Sequence, residues 1–124
     1  GADIVSSITP SQTPIVMKAW LKPGVQINAI GADAPGKQEL ETEILQSAKV
    51  YIDNWEQSAH GGEINVAVSQ GKFTRAMVTD EIANVLLHPG SVPKVSNDIS
   101  VFDSTGLAIQ DISVAFKIYK LICP

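Results

Sequence analysis

The chain has 124 residues and a mass of 13.2 kDa, enough for one domain and too short for two ordinary ones. Apolar residues make up 44% and charged ones only 18%, so a sizeable core is available and disorder is excluded. Nine Lys and Arg against thirteen Asp and Glu give a net charge of −4 with no basic run, which argues against a nucleic-acid surface. No apolar run approaches the roughly 18 residues a membrane span needs, and no signal segment opens the chain. A single cysteine, Cys123, excludes an internal disulfide framework and fits a reducing, cytoplasmic setting.

Four β-branched runs read as strands: Asp3–Ile8, Val25–Ile30, Lys49–Asp53 and Ile99–Phe102. Each is short, mostly apolar and bounded by turn residues, the pattern of a buried strand. Helical periodicity falls between and after them. From Glu39 to Ala48, Leu40, Ile44, Leu45 and Ala48 share a face, and Glu39, Glu41 and Glu43 would complement the dipole at its start. A shorter helix is expected from Asn54 to Ala59. Asp80 is placed to cap another, carrying Ile82, Val85 and Leu86 and ended by His88-Pro89-Gly90. Ser91 to Asn97, near Pro89 and Pro93, reads as an ordered loop. The longest helix runs from Leu107 to Ile122, with Ile109, Ile112, Phe116 and Tyr119 at helical spacing and Lys117 and Lys120 near its end. Trp20 and Trp55 flank strands and are expected to pack. Strands alternating with helices imply a parallel sheet joined by right-handed crossovers. The abrupt ends, Gly1-Ala2-Asp3 and Cys123-Pro124, are those expected of a piece of a longer chain.

Ligands of an open parallel sheet bind beyond the carboxyl ends of its strands. At that edge this sequence places Ser6-Ser7-Ile8-Thr9-Pro10, Gly31-Ala32-Asp33-Ala34-Pro35-Gly36-Lys37, Asp53-Asn54 and Asp103-Ser104-Thr105-Gly106. The opposite ends carry less: Gly24, Lys49 and Asn97-Asp98. Gly31 and Ala32 have little or no side chain, so a planar ligand can approach the backbone. A partly desolvated Asp33 would have a raised pKa and move protons near neutral pH; Lys37 can pair with it or hold an anion. The same residues also suit a plain Asp-Pro-Gly surface turn. Ser104 or Thr105 is a good cap for the long helix, which needs no ligand, although a helix start also favours anionic groups. Asp53, Glu56 and His60 have a spacing that can hold a metal ion, but no second cluster completes the set, and an exposed helix face explains them better. Asp53 also stands where a phosphoacceptor would. The acidic cluster that must hold Mg²⁺ after the first strand is replaced by Ser6-Ser7-Ile8-Thr9. No glycine-rich phosphate motif occurs, and Cys123 has no partner histidine.

The segments INAIGADAPGKQEL (Ile27–Leu40) and VFDSTGLAIQD (Val101–Asp111) resemble the ornithine cyclodeaminase/mu-crystallin family, which includes archaeal-type alanine dehydrogenases and ketimine reductases. ADIVSSITPSQTPIV (Ala2–Val16) and AWLKPGVQ (Ala19–Gln26) are similar to the same family in the same order, so the resemblance runs from about Ala2 to Tyr119. It implies an α/β fold: the second half of a Rossmann-type NAD(P)-binding domain with a mainly parallel sheet (about residues 1–98), then a C-terminal segment (about 99–124) whose helix leads back to a substrate and dimerisation domain. It also implies that the pyrophosphate turn, the ribose-binding acid and the substrate-binding Lys and Arg lie outside this chain. By the resemblance, Asp33 is the catalytic carboxylate. Thr9, Ile30, Gly31, Ala32, Lys37 and Ser104 contact the cofactor, Thr105 faces substrate, and no metal takes part.

The activity implied is hydride transfer from an amine-bearing carbon to NAD, with NADP an alternative, giving an imine. Ring closure then makes proline and ammonia from ornithine; hydrolysis makes pyruvate from alanine; reversal reduces a cyclic ketimine. Family members are homodimers acting on small amino acids or imines. Mu-crystallin-like members serve instead as cofactor-dependent ligand-binding or lens proteins, so a binding role stays open.

Overall fold

The computed structural model describes residues 1–90 and 97–123. The expected loop at positions 91–96 lies outside the described residues. Five parallel strands form one sheet: β1 (Ile4–Ser7), β2 (Gln26–Ala29), β3 (Lys49–Ile52), β4 (Val78–Glu81) and β5 (Ser100–Asp103), in the spatial order β1-β2-β5-β3-β4. The helices are α1 (Thr42–Ser47), α2 (Trp55–Gly61), α3 (Asn65–Ser69), α4 (Ile82–Leu87) and α5 (Ala108–Ile122), with 3₁₀ turns at Lys18–Trp20 and Arg75–Met77. The connections from β1 to β4 advance across the sheet and the one from β4 to β5 returns. Right-handed crossovers therefore put α1, α2 and α3 on one face and α4 on the other.

The core lies under the first of these faces. Ile27, Val50, Ile52 and Val101 point to it and meet Leu40, Ile44, Leu45, Ile64 and Phe73, all essentially sealed from solvent. The alternation along β2 and β5 is strict: Ile27, Ala29, Val101 and Asp103 are buried, and Gln26, Asn28, Ser100 and Phe102 are half-buried. The strands were expected to be buried on both faces; only one face is. On the other face, side-chain hydrogen bonds from Asn28 to Ser6 and from Ser100 to Gln26 cross the strands. These polar residues are in contact with water, which a doubly covered sheet would not allow.

Other expectations need correction. The edge strand β4 was missed because Val78-Thr79-Asp80-Glu81 carries two acids on an edge, a composition that reads as a helix start. Asp80 lies inside that strand. The helix after it is flanked by Glu81 and has no side-chain cap; Asp80 accepts instead from the amide of Glu81 and from Asn84. The helix expected from Glu39 starts only at Thr42, and Glu39 is fully buried beneath the sheet edge. Trp20 is 71% exposed, because the 3₁₀ turn turns it outward and it is the following Leu21 that packs on the core. Trp55 does pack there, with Arg75 over its ring. The long helix forms as expected, but all its side chains are exposed and none joins the core.

Candidate functional site

Three chain corners leave β1, β2 and β5 side by side at the carboxyl edge. The ladder pairs Ala29 with Asp103 at the last register position of β2 and β5. Beyond it, the Ile30 amide donates to Ser7 O and the Ser104 amide to Ala29 O, so the three corners stay joined as they depart. A single face of α2 then meets the corners after β2 and β5. Gly61 packs on the Asp33–Ala34 backbone, where an added Cβ would lie 3.4 Å from Ala34, and the Gln57 side-chain amide lies 3.1 Å from the Thr105 hydroxyl. Residues 57 and 61 are one helical turn apart, about 6 Å. The segments around positions 33 and 105 therefore meet the same helix about one turn apart, side by side at this edge.

Each expected site residue can now be placed. Thr9 is half-buried; its amide donates to Glu39 Oε1 at 2.6 Å and its hydroxyl accepts from the Ser11 amide. Ile30 is 40% exposed at the edge, and Ala32 is buried. Gly31 lacks a side chain for another reason than ligand approach. A Cβ there would collide with the backbone N and O of Thr9 and come within 2.6 Å of Glu39 Oε1. That space is filled by protein. Asp33 is exposed and paired with Lys37, four residues on. The expected upward pKa shift does not occur: the hydrogen bond from Lys37, then its charge, holds the Asp33 carboxyl below its ordinary value. The group is ionised at neutral pH. Lys37 is thus the ion-pair partner, the first of its two expected roles.

Neither Ser104 nor Thr105 caps the long helix, whose flanking residue is Leu107 with no side-chain bond. Gly106, at φ +76°, turns the chain between them and the helix. Thr105 instead bonds Asp53 twice, through its amide to Oδ2 at 2.7 Å and through its hydroxyl to Oδ1 at 2.8 Å. Asp53 also accepts from the Asn54 amide. Its carboxyl is therefore occupied in joining the end of β3 to the corner after β5, while Glu56 and His60 stay exposed on α2.

Sequence reasoning missed the scaffold that holds this edge. Glu39, Glu63 and Asp103 are fully buried. Each accepts from backbone amides of the next element: Glu39 from Thr9 and Gly31, Glu63 from Glu39 and Leu40, Asp103 from Glu63 and Ile64. Burial pushes Glu63 up to about 8 against the opposing amide bonds, and pushes Asp103 up to about 7 in the same way. Gly62 has no side chain because Asp103 fills the place a Cβ would take, 2.6 Å from Oδ2. The signals were present as an acid ending an apolar strand and as Gly-Gly-Glu before an apolar run, though spacing alone does not reveal burial.

An open groove of about 570 Å³ is lined by the Pro35–Gly36 turn together with Gln12, Gln38, His60, Asn65 and Gln70, among others. It does not include Asp33, Ser104 or Thr105.

The comparisons fit this geometry. Residues 1–123 match the ornithine cyclodeaminase/mu-crystallin family. The chain belongs to that family. An alanine dehydrogenase of Archaeoglobus fulgidus is 48% identical over 118 residues, 95% of this chain and 37% of the enzyme. The ketimine reductase mu-crystallin of Rattus norvegicus is 31% identical over 120 residues, 96% of this chain and 36% of that protein. Among solved structures, an archaeal alanine dehydrogenase dimer with bound NAD superposes with a TM-score of 0.89 at 48% identity, covering 95% of this chain and 37% of that one. The chain thus spans little more than a third of the length of the relatives it matches. The fold is that of NAD-binding dehydrogenases of this family. Among the described residues, no helix is long and apolar enough to cross a membrane.

Proposed function

We propose that this chain is the nicotinamide-facing part of an NAD-dependent oxidoreductase or cyclodeaminase acting on a small amino acid or its imine. The observation that carries the reading is that the Ile30–Asp33 and Ser104–Thr105 corners leave paired strands and meet α2, which brings an ionised carboxylate and hydroxyls to one edge. The residues fit the cofactor. Ile30 leaves apolar surface exposed that could take a planar ring, and Ser104 adds a half-buried hydroxyl at the neighbouring corner. When bound, NAD supplies the acceptor for a hydride from the amine-bearing carbon. Asp33, already ionised, stabilises the cationic nitrogen that forms; Lys37 keeps the carboxylate ionised and oriented. Thr9 and Lys37 are assigned to the cofactor and Thr105 to the substrate side, where its hydroxyl already has Asp53 and Gln57 as partners.

Relatives include an alanine dehydrogenase at 48% identity, a ketimine reductase at 31% and, among solved structures, a lysine cyclodeaminase recognising L-ornithine at 30%, so alanine, ornithine and cyclic ketimines are the substrates to test. A homodimer is proposed from the archaeal dimer, with the exposed apolar helix α5 as the return to the remaining domain. A cytoplasmic setting suits the free, exposed Cys123. The 124-residue chain alone is expected to show no turnover, since it corresponds to about 37% of the alanine dehydrogenase. The test is to express the protein at its full natural length and follow NADH absorbance with each substrate. Turnover with any of them supports the reading; failure to bind NAD or NADH rejects it. A mu-crystallin-like binding role would show as NADH binding without turnover.

A further inference from the structure

We propose that Glu39 is a positioning residue whose one carboxyl group sets the spacing between the corners after β1 and β2; its relevance to catalysis rests on the function proposed above. Three donors from two separate segments converge on it: Ser7 Oγ at 2.8 Å, the Thr9 amide at 2.6 Å and the Gly31 amide at 3.0 Å. Its own backbone is pinned in turn, because the Glu39 amide donates to Glu63 at 3.0 Å. The carboxyl is fully buried, so no water competes for its oxygens. The fit leaves no slack: the missing Cβ of Gly31 would strike the Thr9 backbone and Glu39 Oε1 together.

Thr9 and Gly31 are both expected to contact the cofactor, yet their strands end before them, at Ser7 and Ala29. Past those points the backbone of Ile30 bonds Ser7, and farther along Gln38 bonds Ser11 and Ile15 and Val16 bond Glu39. Between these, the Glu39 carboxyl ties Thr9 to Gly31. Position 39 touches no cofactor-facing surface itself, and so acts through Thr9 and Gly31. A carboxylate is suited to this because both oxygens accept, and three donors need no proton in return. Glutamine has the same shape but would turn one oxygen into a donor facing donors.

The test is amide hydrogen exchange in the 124-residue chain, read residue by residue, for wild type, Glu39→Gln and Gly31→Ala. Glu39→Gln is expected to speed exchange at Thr9 and Gly31 by about tenfold or more, the loss of one buried bond, while Thr105, held by Asp53, is unchanged relative to global unfolding. Gly31→Ala disturbs the same corner, and the double variant should loosen it by less than the product of the two single effects. Unchanged exchange at Thr9 and Gly31, uniform loosening that includes Thr105, or full multiplicativity would each overturn the proposal. At full natural length, Glu39→Gln should lower NAD-linked kcat/KM by more than tenfold, on the order expected for a displaced contact surface, and wild-type kcat/KM retained by this variant also overturns it. If the wild type binds no NAD, the functional reading fails and the exchange result still decides the role of Glu39.

Discussion

Raising the pH from 5 to 9 should weaken this fold, and Glu63 is the main cause. Its carboxyl is fully buried between Asp103 and the Glu39–Leu40 backbone, and its pKa rises from 4.5 to about 8. Asp103 is raised from 3.8 to about 7 by the same burial. Between the unfolded and folded values, the folded chain holds a proton that the unfolded chain has released. The stability each group contributes is therefore complete below pH 4 to 4.5 and lost as pH climbs through about 7 for Asp103 and 8 for Glu63. About 1.4 kcal/mol disappears per pH unit while one group differs between the two states, so Glu63 alone accounts for up to about 3 kcal/mol between pH 5 and 7. Urea unfolding at pH 5, 7 and 9, followed through the half-buried Trp55, measures this. Glu63→Gln keeps an oxygen for the Glu39 and Leu40 amides and removes the titration, so its stability should vary less with pH. Stability that rises between pH 5 and 7, or an unaltered slope in Glu63→Gln, would refute the reasoning.

Two further outcomes follow from packing. Gly62→Ala drives a methyl to 2.6 and 2.8 Å from the Asp103 carboxyl oxygens and should cost about 1–3 kcal/mol in urea unfolding, whereas Gly90→Ala, with open space around it, should stay within about 0.5 kcal/mol. Removing residues 107–124 should shift the urea midpoint little, because α5 buries nothing, and should reduce self-association measured by sedimentation, because Ile109, Ile112, Phe116 and Tyr119 leave with it.

Much of the edge was legible in the sequence. β-branched runs located four strands to within a residue or two, and a sheet of parallel crossovers then placed Thr9, Asp33 and Ser104 at one end. What stayed hidden depends on burial, which local pattern does not encode. Glu39 looks like a helix-start acid because it precedes an apolar period; it is buried because Thr9 and Gly31 need its oxygens from 30 and 8 residues away. Asp103 and Glu63 are ordinary acids until the β5 end is packed on Gly62. β4 is hidden for the opposite reason, since an edge strand can carry Thr79, Asp80 and Glu81 without cost. The pKa of Asp33 rises only if the group is partly desolvated, which local pattern does not reveal; here it is exposed and Lys37 lowers it.

The most direct test of the account is Asp33→Asn at full natural length, with NADH formation and NAD affinity measured together. We expect kcat to fall by about 10² or more with NAD affinity within a few-fold of wild type. Wild-type turnover in Asp33→Asn would contradict the assignment of charge stabilisation to this carboxylate.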